Sequence, residues 1–147
     1  MISGMIADND LFSLSYVDIN RQPPHYAYET MLAYRNINPY GMYVFVMGSD
    51  SLRDLPTWYE VNKFLTLCNQ IGVMHRPGDE ADLLKLETRI PGITDKTIFF
   101  NSPLVDISST LIRERVRNHL PVQYLLHSFV YQLIQTRGLY TRLSEDE

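Results

Sequence analysis

The run Met42-Tyr43-Val44-Phe45-Val46-Met47 is continuously apolar and stops abruptly at Gly48-Ser49-Asp50-Ser51. A run of this length without polar alternation reads as a strand buried on both faces, the habit of parallel sheets covered by helices. The sequence around it agrees. A helix is expected over residues 26–36, ended by Pro39-Tyr40-Gly41, and another over residues 60–69 with Val61, Phe64, Leu65 and Cys68 on one face. Residues 71–75 read as a second strand cut off by Arg76-Pro77-Gly78, residues 79–89 as a helix, and residues 96–100 as a further strand. Strand-like and helical stretches thus alternate, which is the pattern of an α/β sheet.

The two ends are read the same way. Residues 1–9 suit a helix broken by Asp8-Asn9-Asp10, and residues 12–18 alternate well enough for a half-buried strand. Arg21-Gln22-Pro23-Pro24 is a break. The C-terminal third is helical, with Val122, Leu125, Leu126, Phe129, Val130, Leu133 and Ile134 in a stripe and Gly138 as the stop. No repeat or linker divides the chain, so residues 1–147 are expected to form a single domain.

Composition narrows the function. The chain has 147 residues, a formal net charge of −4 and one cysteine. An acidic balance argues against binding a phosphate backbone, so no nucleic-acid partner is expected. No apolar run nears the roughly 18 residues needed to cross a bilayer, and residues 1–5 lack the charged and apolar regions of a signal peptide. A cytoplasmic protein with no membrane partner is the expectation. Cys68 alone makes neither an intrachain disulfide nor a multi-cysteine zinc site. His25, His75, His119 and His127 show no metal-ligand spacing, so no metal ligands are assigned.

Three places could carry chemistry. Gly48 follows a strand, where open α/β sheets bind ligands; it permits close backbone approach, and Asp50 can accept from a ribose or substrate hydroxyl. Gly48-Ser49-Asp50 reads equally well as a turn with a helix cap. Trp58 and Tyr59 follow Leu55-Pro56-Thr57, and an indole there can stack on a flat heterocycle or simply cap the core. Ser108, Ser109 and Thr110 open a helix whose free amides make an anion site. Arg113 lies near that same end, against the helix macrodipole, which favours a phosphate there over a mere cap. Arg76 after a strand can meet an anion, although an exposed arginine is commoner. Arg115 and Arg117 read as a solvated face, and Cys68 as a small core residue.

Residues 48–59, Arg76-Pro77-Gly78 and Ile107-Ser108-Ser109-Thr110-Leu111-Ile112-Arg113 together resemble bacterial nicotinate-nucleotide adenylyltransferase, as does the closing Arg137-Gly138-Leu139-Tyr140. The Ser-Ser-Thr helix is shared by a wider nucleotidyltransferase superfamily, while the Asp-Leu-Pro-Thr-Trp-Tyr loop is specific to the nicotinate branch. The resemblance implies a Rossmann-like parallel sheet with C-terminal helices. It also implies a reaction in which nicotinate mononucleotide attacks the α-phosphorus of ATP, giving deamido-NAD and pyrophosphate with Mg²⁺. Trp58 would stack on the pyridine ring, and the backbone of Trp58 and Tyr59, helped by Arg76, would receive its carboxylate. Gly48 and Asp50 would line the nucleotide cleft, and Ser108, Ser109, Thr110 and Arg113 would hold the ATP phosphates.

Two departures from the family pattern are present. Where the family shows Ser-Tyr-Thr, this chain has His25-Tyr26-Ala27, so Tyr26 and Ala27 are expected at the substrate without the threonine hydroxyl. The family's Gly-rich turn with paired histidines is not in the sequence, and no catalytic residue is assigned. Residues 1–10 resemble the family's second helix. The expectation is a partial domain lacking the N-terminal strand, helix and strand, with a sheet edge that a second copy would cover. A non-catalytic nucleotide-binding remnant, or another adenylyltransferase of the superfamily, is the alternative; a pantetheine-phosphate enzyme fits the Ser-Ser-Thr helix but not the Trp-Tyr loop.

Overall fold

Three strands, β1 (Val44–Gly48), β2 (Gln70–His75) and β3 (Thr97–Asn101), form a parallel sheet in the order β1-β2-β3. The register sets Phe45 beside Ile71 and Met47 beside Val73, so these four side chains share one face. The computed structural model describes residues 1–75, 82–101, 103 and 107–141. Its two compact units are Tyr16–Leu104, which holds the sheet, and Met1–Ser15 together with Val105–Glu147.

Helices reach the sheet by its crossovers. Between β1 and β2 run α3 (Ser49–Asp54), a 3₁₀ turn (Leu55–Thr57) and α4 (Val61–Leu67); between β2 and β3 run α5 (Leu83–Arg89) and α6 (Ile93–Lys96). Another helix, α2 (Ala27–Ile37), precedes β1 and packs on α4. The strand order advances in one direction only, and crossovers of a single hand then deliver every helix to the same face. On that face Met47, Ile71 and Val73 bury against Met31, Leu52, Leu55, Phe64, Leu65, Leu86, Ile90 and Ile93.

Within this unit none of the described helices covers the opposite face. Val44 is 50% exposed and Val46 57%, with Met74, Ile98 and Phe100 also exposed. The expectation that the 42–47 run is buried on both sides is therefore corrected: β1 is buried on one side, because no crossover here runs the other way. Phe100 lies over Gly72 so closely that a Cβ on Gly72 would come within 2.9 Å of its ring.

Two charged side chains finish α4. Arg35 donates from Nε to the Leu67 carbonyl (2.8 Å), and Lys96 donates from Nζ to those of Leu65 (2.8 Å) and Cys68 (2.6 Å). Cations suit the negative end of a helix and satisfy carbonyls that have no partner within it. Cys68 is buried beside them, and burial pushes its thiol up to about 11, the inert behaviour of a core residue.

The chain entering α2 is held by a compact polar network. Arg21 donates to Asp18, to Glu29 Oε2 (2.8 Å) and to Thr30 Oγ1 (3.0 Å), while the Thr30 hydroxyl donates to Asp18 Oδ1 (2.6 Å). This ties the 18–21 turn to the first turn of α2. The Thr30 hydrogen bond, aided by Arg21, holds the Asp18 carboxyl below its ordinary value.

The second unit has its own core of Ile112, Val116, Val122, Val130 and Ile134. It carries α1 (Ile2–Met5), α7 (Ser109–Arg117) and α8 (Ser128–Arg137), with the ring of Phe129 against Gly4. Three expectations are corrected. Residues 1–9 form only the short α1. Residues 12–18 form no strand, with Leu11 91% and Phe12 61% exposed, because alternation without a neighbouring ladder cannot hold an extended segment. The C-terminal helix is interrupted over residues 118–127, where His119 takes a left-handed φ of 56° and Pro121 follows. Gly138 closes α8 with a φ of 57°, as a C-terminal stop requires. Residues 79–81 of the expected 79–89 helix lie outside the described residues. No helix among the described residues is long and apolar enough to cross a membrane.

One-sided burial is measurable. Ile71→Ala should cost about 3 kcal/mol in urea unfolding, whereas Val46→Ala on the open face should cost less than about 1 kcal/mol. The depressed Asp18 carboxyl adds stability that is present above its ordinary value of 3.8 and is lost as pH falls through the lower folded value. The stability gap between wild type and Asp18→Asn should accordingly be full at neutral pH and narrow on acidification below that value.

Candidate active site

The segment after β1 is shaped by Leu55, fully buried, and by Pro56 in the first turn of the 3₁₀ helix. Proline suits that position because its missing N–H would be unpaired there anyway. The turn closes with the Trp58 amide donating to the Leu55 carbonyl (3.0 Å), and Trp58 itself is extended at φ −72°, ψ 145°. Its indole meets Phe45 edge-on (centroids 6.0 Å, planes at 79°) and Phe64 at 5.6 Å. Both supporting rings belong to the sheet-and-helix core, so the indole is braced from behind.

Next to it, the Tyr59 ring stacks on Tyr26 with centroids 4.3 Å apart and planes at 27°, and meets Tyr28 edge-on at 6.3 Å. Glu60 then takes a left-handed φ of 51° that turns the chain into α4. Tyr26 is the N-cap residue of α2, which leaves the Ala27 amide at the first, intrinsically unpartnered position of that helix. His25, Tyr26, Ala27, Thr57, Trp58 and Tyr59 together line an open cavity of about 400 Å³.

Four of the residues expected at a substrate, Tyr26, Ala27, Trp58 and Tyr59, are thus brought into one hollow by two different segments. The Trp58 indole packs on the core, as the capping reading expects, and it also lines the cavity. Of the two backbone amides expected to receive a carboxylate, that of Trp58 is already committed to Leu55. The Tyr59 amide has no hydrogen-bond partner among the described residues. Arg76 lies outside the described residues. Sequence reasoning missed two lining residues, His25 and Thr57; each is the immediate neighbour of a residue it did single out.

Gly48 ends β1 and caps α3 with an ordinary φ of −83°, and nothing lies within 4 Å of where a Cβ would stand. The glycine therefore leaves open space at the strand's carboxyl end rather than relieving a crowded turn. Asp50 is in the first turn of α3, the favourable end for a carboxylate, and pairs loosely with Arg53 at 3.4 Å across an exposed surface. It makes no side-chain cap.

In the second unit, Ser108 is the N-cap of α7 and accepts from the Leu111 amide at 3.0 Å. Ser109 and Thr110 form the exposed first turn, and Arg113 folds back to donate to Thr110 Oγ1 at 3.3 Å. Ile112 and Val116 fix the other side of α7 in the core. The result is an exposed helix start bearing hydroxyls, free amides and one guanidinium, a set that can receive phosphate oxygens. Arg115, expected on a solvated face, donates instead to the Pro121 carbonyl at 3.1 Å.

Comparison with known proteins gives this geometry a family. The cytidylyltransferase-like family model matches residues 1–115. A probable nicotinate-nucleotide adenylyltransferase of Thermomicrobium roseum is 36% identical over 140 residues, covering 95% of this chain and 65% of that protein. The nicotinate-nucleotide adenylyltransferase of Bacillus subtilis is 32% identical over 140 residues, covering 95% and 68%. The chain thus spans about two thirds of the length of these relatives. Among solved structures, the Plasmodium falciparum nicotinic acid mononucleotide adenylyltransferase complexed with APC matches with a TM-score of 0.69 at 19% identity. That match covers 95% of this chain and 72% of the other, a likeness of fold. With its parallel sheet, its Trp-Tyr loop and its Ser-Ser-Thr helix, the chain belongs to the cytidylyltransferase-like family and, within it, to the nicotinate-nucleotide adenylyltransferases.

Proposed function

We propose that the chain transfers AMP from ATP to nicotinate mononucleotide, forming deamido-NAD and pyrophosphate. The observation that carries this reading is the cavity at Trp58: a braced indole beside unpartnered amide donors suits a flat, electron-poor ring bearing a carboxylate. In it the pyridine lies against Trp58, bounded by Tyr26 and Tyr59, and the Ala27 and Tyr59 amides face the carboxylate, with Arg76 as a further partner. The ATP phosphates bind Ser108, Ser109, Thr110 and Arg113, while Gly48 and Asp50 border the nucleotide. Residues 1–147 then serve as a single, partial nucleotidyltransferase domain.

The reaction itself asks little covalent chemistry of the protein. An oxygen of the mononucleotide's 5′-phosphate forms a bond to the α-phosphorus as the bond to the bridging oxygen breaks, and pyrophosphate departs with that electron pair. Holding donor and acceptor in line is worth many orders of magnitude, and fixed positive groups offset the charge that develops. Among the described residues no three His, Cys, Asp or Glu side chains converge as a metal cage. Mg²⁺ bound with ATP would supply further charge neutralisation to the phosphates that Ser108, Ser109, Thr110 and Arg113 hold. The protein works in the cytoplasm, and the open edge of β1 is covered there by a second copy of the chain.

The two halves of the site should fail separately. Trp58→Leu keeps an apolar side chain against Phe45 and Phe64 but removes the stacking plate, so the KM for nicotinate mononucleotide should rise about tenfold, with that for ATP unchanged. Arg113→Ala should do the reverse. Steady-state pyrophosphate release measures both. No release by the wild-type chain, or equal effects of each variant on both KM values, contradicts the reading.

A further inference from the structure

The cavity wall contains one side chain that the family resemblance does not account for. Of its six lining residues, only His25 can carry a positive charge. Besides the unpartnered Ala27 and Tyr59 amides, two donors of the wall are already committed. The Thr57 hydroxyl gives its proton to the Asp54 carbonyl at 2.7 Å, and the Trp58 amide is taken by Leu55. Ala27 offers only its backbone. The cations near in sequence are also engaged: Arg21 by Asp18, Glu29 and Thr30, and Lys63 by Glu60 at 3.1 Å. The His25 imidazole makes no hydrogen bond among the described residues, and it is exposed at the cavity's edge.

We infer that His25 is a specificity-determining residue of this site, its imidazole donating an N–H to the carboxylate of the pyridine ring and so selecting the nicotinate over the nicotinamide nucleotide. The inference rests on the proposed pyridine cavity and adds to it the group that reads the ring's substituent. A carboxylate has two acceptor oxygens and no donor, whereas an amide presents an NH₂ on one side. A donating imidazole therefore finds a partner on either oxygen of the acid but only on one atom of the amide. The position suits the role: the chain has alanine where the family carries a threonine hydroxyl, and the histidine two residues earlier supplies a donor to the same hollow. The Asp18 carboxylate lies within electrostatic reach of His25 and is itself satisfied by Thr30 and Arg21, so it does not compete as a direct ligand.

The single tryptophan makes the test direct, since any quenching reports on Trp58. The whole chain is titrated with nicotinate mononucleotide and, separately, with nicotinamide mononucleotide, in wild type, His25→Ala and His25→Lys. Wild type should bind the acid at least tenfold more tightly, as expected for a hydrogen bond to a charged group. His25→Ala should bring the two affinities within about twofold by weakening the acid alone, and His25→Lys, which puts an N–H donor back, should restore most of the preference. The exposed, unbonded position of His25 means that all three proteins should melt together. Quenching with a preference unchanged in His25→Ala overturns the inference and leaves the cavity reading standing. No saturable quenching of wild type by either nucleotide overturns both.

Discussion

The indole of Trp58 keeps its place in the cavity wall only because something stiff braces it. That support is the seam where Phe45 on β1 meets Phe64 on α4, with ring centroids 5.0 Å apart and planes at 88°, beneath the Trp58 ring. The seam exists because Met47, Ile71 and Val73 put one face of the sheet against Leu52, Leu55, Phe64 and Leu65. Leu55 anchors the 3₁₀ turn, and its own carbonyl takes the Trp58 amide. Aromatic pairs of this geometry add roughly 0.5–1.5 kcal/mol each beyond the area they bury. The same packing that folds the unit therefore orients the wall of its cavity.

Topology explains what that packing leaves undone. All helices of the sheet unit reach one face, so the apolar side chains of Val44, Val46, Met74, Ile98 and Phe100 stay open to solvent. Parallel sheets are ordinarily covered on both sides, and an uncovered strand edge invites pairing. The relatives are about half as long again as this chain, so the sheet can be compared with theirs only over the shared two thirds.

The fold was legible where local pattern and tertiary demand coincide. The 42–47 run, the 71–75 run and the 96–100 run all became strands, because each has neighbours whose ladders it completes. Residues 12–18 have the right alternation but no ladder, and a strand is a property of a pair rather than of a segment. Likewise the stripe from Val122 to Ile134 is helical in spacing, yet His119 and Pro121 delay α8 until Ser128, while Val122 still reaches the core from outside the helix. The start of α7 was readable because a serine cap acts within a few residues. The Trp58 cavity was readable only in part. Its two walls lie about thirty residues apart, and spacing says nothing of how Tyr26 comes to stack on Tyr59. His25 carries no such signal in the sequence, because metal-ligand spacing is blind to a lone imidazole at a cavity wall.

The contact proposed at the centre of the site, a pyridine ring lying against one indole, can be observed without relying on turnover. A chain with a single tryptophan gives a single indole N–H resonance in a proton–nitrogen correlation spectrum. Addition of nicotinate mononucleotide should shift that resonance saturably and produce cross-relaxation between the pyridine protons and the indole ring. A nucleotide that binds while the indole resonance stays fixed, with no cross-relaxation to it, would contradict the account.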